Sequence, residues 1–150
     1  MNDALEKLVR HANWANLTLV DFLIAAKIDD PAILKLVCHI GHGETAWFQR
    51  IYAQPVNPDV FRIVPLAELR ALFAELETLY AEQLRSDLSR VLAYKRFNGD
   101  EHASSVGDIL MHVCTHGFHH RGQIASLLSK LGKKMPNLDF INFCRIADRV

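Results

Sequence analysis

The histidines are the residues of this sequence whose type and spacing could do chemistry. The chain has eight of them in 150 residues, and six fall in two short stretches, 39–42 and 112–120. The second stretch places His116 and His120 four residues apart, a spacing that stacks two helical side chains one turn above the other. Two such imidazoles can bind one metal ion at about 2.0–2.1 Å. A metal site is therefore the first hypothesis to test against the rest of the sequence.

Helical periodicity separates the four histidines of the second stretch. At about 100° per residue, His120 lies near the centre of the apolar face of its helix and His116 lies nearer the edge. His112 and His119 fall at or beyond the boundary of that face. An imidazole that faces the core must find a partner for each ring nitrogen, and a shared metal ion would provide one. The alternative is that these histidines are ordinary core residues with hydrogen-bond partners. The apolar residues that define the face are Ile109, Val113, Ile124, Leu127 and Leu131.

The first histidine stretch offers several candidates for a third ligand. Cys38, His39, His42 and Glu44 all lie within one short helical segment. His39 is about 100° from the apolar Ile40, on the flank of the helix face, where a neighbouring helix could contact it. Periodicity alone favours none of the four.

Prolines divide the chain into segments with helical periodicity, and these segments must position the histidines. We expect one domain over residues 1–150, an all-α antiparallel four-helix bundle with a short C-terminal helix. Residues 88–103 interrupt the helical pattern: 91–97 look extended and 98–100 form a turn, but we expect no sheet. The predicted helices run from about Asp3 to Ala26, from Pro31 (capped by Asp30) to before Pro55, after Pro65, from near Ser105 to Leu131, and from Leu138 to Asp148.

Composition narrows the classes of function. Seventeen basic residues balance seventeen acidic ones, and no basic cluster is present, so we expect no nucleic-acid partner. No stretch approaches the roughly 18 apolar residues of a membrane span, and the N-terminus does not resemble a signal peptide. We therefore expect a cytoplasmic protein that does not bind membranes. Cys38, Cys114 and Cys144 are widely spaced and odd in number, which predicts buried reduced thiols.

Several motifs taken together resemble the DinB family of DinB/YfiT-like metal-binding four-helix bundles, almost from end to end. The N-terminal stretch contains His11-Ala-Asn-Trp-Ala-Asn, with histidine where the family often has tyrosine. The second helix contains His39-Ile followed by Glu44, Trp47 and Arg50. The later helix contains His112-x-x-x-His116-x-x-His119-His120-Arg-Gly, and a Leu-Gly…Pro…Leu-Asp ending follows at 131–139.

The resemblance implies a ligand set and an assembly. In this family, a histidine of a His-Ile step and two histidines four apart bind the metal, which correspond here to His39, His116 and His120. The resemblance also implies a homodimer. Three imidazoles suit zinc or nickel, and also iron or copper, so we expect one divalent transition-metal ion as cofactor.

Two functions remain open at this stage. Three protein ligands leave a coordination position free, which favours a metal-dependent enzyme, of thiol transferase or hydrolase type, acting with a low-molecular-weight thiol or on another small molecule. Some proteins that the chain resembles are thiol-dependent transferases or isomerases. The alternative is a non-catalytic, stress- or damage-induced bundle in which the metal is structural.

Other polar residues near the predicted ligands receive supporting roles. His112, His119 and Glu44 are candidates for orienting the ligand rings by hydrogen bonds. His42 is either a partner that orients a ligand ring or a solvated residue, and we favour the solvated residue. We expect Arg121 and Gln123 to hydrogen-bond neighbouring helices.

Overall fold

The computed structural model describes residues 3–147 and is mostly helical, with a small two-stranded sheet. The elements are α1 (Asp3–Ala25), α2 (Pro31–Ile51), α3 (Leu66–Leu84), β1 (Val91–Lys95), β2 (Glu101–Ser105), α4 (Val106–Lys130) and α5 (Phe140–Ala147). The four predicted long helices are confirmed, with boundaries that differ by a few residues. The last helix begins at Phe140 rather than Leu138, and its predicted end at Asp148 lies outside the described residues.

Local capping explains where the two histidine-bearing helices begin. The Asp30 carboxylate accepts hydrogen bonds from the backbone amides of Ala32 and Ile33, at 3.0 and 3.1 Å. The Ser105 hydroxyl accepts from the Asp108 amide at 3.1 Å. Such caps contribute about 1 kcal/mol each because they satisfy amides that have no partner within the helix. The sequence predicted both helix starts for this reason.

The long helices bury a shared core that fixes α2 beside α4. α2 packs along α4 and α3, and α1 packs along α3 and α4. Gly41 permits the approach of α2 to α3, since a Cβ atom there would lie only 2.8 Å from Leu69 Cδ1. The side chains with no exposed surface include Leu19, Leu23, Ile33, Ile40, Leu69, Leu110, Ile124 and Leu128.

The sheet is a hairpin, and the expectation of an entirely helical chain is wrong here. β1 pairs antiparallel with β2, with Tyr94 opposite His102. Gly99 occupies the turn with φ of +91°, a conformation that glycine adopts without strain. Neither strand buries a row of apolar residues, so the sequence shows no strong alternation to indicate them. The hairpin leads directly into α4 and also contacts α2.

A buried histidine outside the two stretches holds the C-terminal segment against α1. His11 has no exposed surface, and its Nε2–H donates to the Leu138 carbonyl at 2.7 Å. Its ring stacks on Phe118 at 5.1 Å between centroids and meets the edges of Phe140 and Phe143. These contacts explain how a polar residue occupies this position in the core.

Two expectations from composition can be compared with the structure. The three cysteines are free and buried, as predicted. Within residues 3–147, no helix is both long enough and apolar enough to cross a membrane.

Candidate metal centre

Three histidines converge where α2 faces α4. His39 comes from α2, and His116 and His120 come from successive turns of α4; one nitrogen of each lies within 4.8 Å of the others. His116 Nε2 lies 3.1 Å from Nε2 of His39 and 3.1 Å from Nε2 of His120. Two nitrogens bound to one ion at about 2.05 Å would lie roughly 2.9–3.3 Å apart at angles of 90–109°. The two short distances therefore match those expected for ligands to a shared ion.

Hydrogen bonds on the far side of two rings determine which nitrogen faces the cluster. The Nδ1–H of His39 donates to the Val60 carbonyl at 3.0 Å. The Nδ1–H of His120 donates to Oε1 of Gln123 at 2.7 Å. Because a neutral imidazole carries one proton, both rings then present an unprotonated Nε2 towards His116.

Coordination of a metal ion would satisfy the three converging nitrogens more fully than hydrogen bonds among the rings can. The unprotonated Nε2 atoms of His39 and His120 both face Nε2 of His116, which carries at most one proton. His116 can donate that proton to only one of them, so one lone pair in the cluster has no donor. A divalent ion would accept electron pairs from all three nitrogens. The donor set, three neutral imidazoles, suits zinc, nickel, copper or iron.

Burial and neighbouring charge keep the rings of His116 and His39 neutral. Burial, and then the positive charges that His120 and His39 would carry, lower the pKa of His116 to about 3. Burial also lowers the pKa of His39, which is only 8% exposed. Neutral rings retain the lone pairs that metal binding requires.

Two further contacts position the rings, and helical periodicity gave no indication of either. Phe61, in the segment between α2 and α3, stacks on His39 with 3.9 Å between centroids and 4° between planes. Gly43 leaves room for His116, because a Cβ atom at position 43 would lie 3.2 Å from Cε1 of that ring. A glycine in mid-helix is therefore explained by a neighbouring ring on another helix.

Within residues 3–147, the ligand rings donate their outer N–H groups to residues other than His112, His119 and Glu44, the three candidates from the sequence. His112 is exposed and packs on Trp47, with 5.4 Å between centroids. His119 is exposed and its ring centroid lies 5.0 Å from that of His120. Glu44 points into the core. The acceptors are instead the Val60 carbonyl and the Gln123 amide, described above.

Glu44 belongs to a buried polar chain that joins three helices. Its Oε1 accepts from Asn16 Nδ2 of α1 at 2.9 Å, and Asn16 Oδ1 accepts from Arg121 Nη1 of α4 at 2.6 Å. All three residues are less than 4% exposed. Burial raises the pKa of Glu44 to about 7, although the Asn16 hydrogen bond and the Arg121 charge act in the opposite direction. Arg121 therefore contacts a neighbouring helix, as expected, whereas Gln123 contacts a ring of its own helix.

Two assignments of helix faces need correction. His42 is 3% exposed, not solvated, and burial is the main reason that its pKa is lowered. Leu131, which caps the end of α4, is 48% exposed, whereas Gly117 and Arg121 within α4 are buried. His116 and His120 therefore lie on the flank of the buried face. The sequence misplaced the centre of the buried face of α4 because it was located from apolar residues alone, and a buried glycine and a buried arginine were not counted.

A cavity of about 860 Å³ opens beside the cluster. His39 and His116 form part of its wall, and the segment carrying Phe61 and the β1–β2 hairpin form other parts. This volume is in the range of small-molecule sites. The cluster therefore has a side on which another molecule can approach.

Comparison with known proteins assigns the chain to a family. No curated protein matches the chain significantly. The sequence model of the DinB family matches residues 1–149, which is nearly the whole chain. The chain belongs to the DinB family.

Proposed function

We propose that His39, His116 and His120 bind one divalent transition-metal ion, with zinc or nickel foremost, and that the centre serves a metal-dependent reaction on a small molecule. The observation that carries the proposal is the convergence of three Nε2 atoms, two of them unprotonated, beside an open cavity. The four long helices would form an antiparallel four-helix bundle around this centre.

The arrangement of the ligands supports a catalytic role. Three protein ligands leave at least one coordination position free, as in catalytic zinc sites, whereas structural sites have four protein ligands. A bound divalent ion would lower the pKa of a coordinated water or thiol and so supply a nucleophile near neutral pH. The chain's own residues hold two of the three rings, those of His39 and His120, by the Val60 and Gln123 hydrogen bonds and leave one side of the cluster open to the cavity.

We propose a reaction of thiol transferase or hydrolase type. The three cysteines are buried, and none belongs to the histidine cluster, so a reacting thiol would come from a separate low-molecular-weight molecule. Burial raises the pKa of Cys114 to about 12 and also raises that of Cys38, which makes both thiols poor nucleophiles.

A structural ion is the second candidate, because the ligands come from two helices. An ion held by His39 of α2 and by His116 and His120 of α4 would cross-link the two helices. In that case, chelation would lower the melting temperature strongly, and added thiol would leave the spectrum of a cobalt-substituted sample unchanged. A catalytic centre predicts instead a new thiolate-to-cobalt absorption band on thiol addition.

Elemental analysis of untagged protein tests the metal site directly. We expect about one equivalent of a transition metal in the wild type and little in His39→Ala, His116→Ala or His120→Ala. His119→Ala is the matched control, since its exposed ring lies outside the cluster and should leave the stoichiometry unchanged. Wild-type protein that stays metal-free after reconstitution with zinc, nickel, iron and copper would refute the proposal.

A further inference from the structure

Arg50 of α2 lies among aromatic rings and has no ionic partner. Its guanidinium carbon lies 4.6 Å from the ring centroid of Trp47, 5.1 Å from that of Phe97 and 5.6 Å from that of Tyr94. Within residues 3–147, its side chain makes no hydrogen bond or salt bridge, and its Nε is buried without a partner. A partly buried cation whose buried Nε has no hydrogen-bond acceptor is unusual, and it calls for an explanation.

The aromatic contacts leave the terminal Nη N–H groups of Arg50 available, whereas its Nε–H is buried. A guanidinium is attracted to the faces of aromatic rings, while its donors point outward in its own plane. That fork matches the two oxygens of a carboxylate, and such charged pairs are among the strongest hydrogen bonds in proteins. The site around Arg50 is thus suited to a planar anion.

Arg50 and two histidines of the cluster, His39 and His116, line the same cavity. Residues 39, 43, 46 and 50 all lie on its wall, at the spacing of one stripe along α2. His39 and Arg50 are eleven residues apart, which corresponds to about three turns and roughly 16 Å along the helix axis. The small residues Gly43 and Ala46 lie between them. The cavity is therefore an elongated space with donor nitrogens of the cluster at one end and a cation at the other.

The other charged groups on the cavity wall do not neutralise Arg50. Arg96 adds a second, exposed cation from the hairpin turn. Asp108 is the acid on the wall, but it is exposed and its Oδ2 accepts the Ser105 hydroxyl at 2.7 Å. Two cations, Arg50 and Arg96, thus face the cavity with one acid, Asp108, and this excess of positive charge favours an anionic ligand.

We infer that the cavity binds an elongated small molecule with a carboxylate at one end, that Arg50 binds this carboxylate, and that the other end reaches the histidine cluster. This inference rests on the proposed function for the reacting end, but the binding of the carboxylate does not require the metal. Arg50 is then the residue that determines substrate specificity.

A matched pair of thiols tests the inference on cobalt-loaded protein. The probes are 6-mercaptohexanoate and 6-mercaptohexanol, which share a thiol and a carbon chain and differ in charge at the far end. The thiolate-to-cobalt absorption band reports binding of each. We expect the wild type to bind the carboxylate probe about tenfold tighter or more, a ratio typical of a charged bidentate hydrogen bond.

Variants of Arg50 identify the source of that preference. Arg50→Gln should bring the ratio of the two affinities close to one, and Arg50→Lys should retain part of it, because lysine keeps the charge and loses the planar fork. Arg85→Gln removes the same charge from an exposed position outside the cavity wall and should keep the wild-type ratio. If circular dichroism shows that Arg50→Gln does not fold, Arg50→Lys serves as the test: a reduced ratio supports the inference, and an unchanged ratio contradicts it.

A metal-free titration separates this inference from the proposed function. The Trp14→Phe variant leaves Trp47, which stacks on Arg50, as the single tryptophan. Hexanoate should change its fluorescence at lower concentration than hexanol does, and Arg50→Gln should remove the difference. If cobalt does not bind, the metal proposal fails and this titration still decides the inference. Equal binding of hexanoate and hexanol, or an unchanged preference in Arg50→Gln, would overturn it.

Discussion

Replacement of Glu44 by glutamine should change how the stability of the protein depends on pH. The Glu44 carboxyl group is buried and joined through Asn16 to Arg121, which directly follows the predicted ligand His120. Glutamine has nearly the same shape and keeps an oxygen that can accept from Asn16, but it cannot ionise. The substitution therefore removes the titration of this group while preserving its packing.

The magnitude follows from the difference between the folded and unfolded pKa values. Burial raises the pKa of Glu44 from 4.5 to about 7 in the folded protein. Between these two pKa values the folded state keeps a proton that the unfolded state releases. The contribution of Glu44 to the free energy of unfolding is therefore fully present below pH 4.5 and is lost as the pH rises through 7. At 1.36 kcal/mol per pKa unit, the loss is about 3 kcal/mol.

Urea unfolding of metal-free protein at pH 4.5, 6, 7 and 8 measures this effect. Between pH 4.5 and pH 8, we expect the free energy of unfolding of the wild type to fall by about 3 kcal/mol relative to that of Glu44→Gln. The buried histidines have lowered pKa values and give stability that rises with pH, but they are common to both proteins and cancel in the difference. Glu77→Gln, on the exposed side of α3, should parallel the wild type. A constant difference between Glu44→Gln and wild type at all four pH values would refute the reasoning.

Two substitutions beside the cluster should weaken metal binding without removing a ligand. Gly43→Ala places a methyl group 3.2 Å from Cε1 of His116 and should weaken binding about tenfold, as measured by competition with a chelating dye. Gly122→Ala is its control, because the added methyl group would meet no atom within 4 Å apart from its chain neighbours and the backbone of its own helix. It should leave affinity unchanged and stabilise α4 by about 0.5–1 kcal/mol. Gln123→Ala removes the acceptor of the His120 Nδ1–H and should weaken binding about 10–100-fold with little change in the urea midpoint of the metal-free protein. Unchanged affinity in both Gly43→Ala and Gln123→Ala would contradict the ring positions described here.

Local sequence determined the helices and most of the candidate ligand set. Asp30 and Ser105 specify where α2 and α4 begin, because a side-chain oxygen satisfies free amides whatever the rest of the fold does. The four-residue spacing brings His116 and His120 together for an equally local reason. The choice of His39 over Cys38 required the family resemblance, because one helix in isolation does not show which of its flanks meets another helix.

The tertiary structure decided the surroundings of the site. The segment between α2 and α3 covers His42 and supplies the Val60 carbonyl and the Phe61 ring to His39, and no periodicity within α2 indicates this cover. The hairpin brings Tyr94 and Phe97 to Arg50 from a part of the chain that was predicted to be extended but not to form a sheet. Periodicity records which face of a helix is apolar, whereas burial and cavity walls depend on segments distant in sequence. The sequence therefore determined the helices and the histidine pair, and tertiary packing determined the cavity and the environment of each ring.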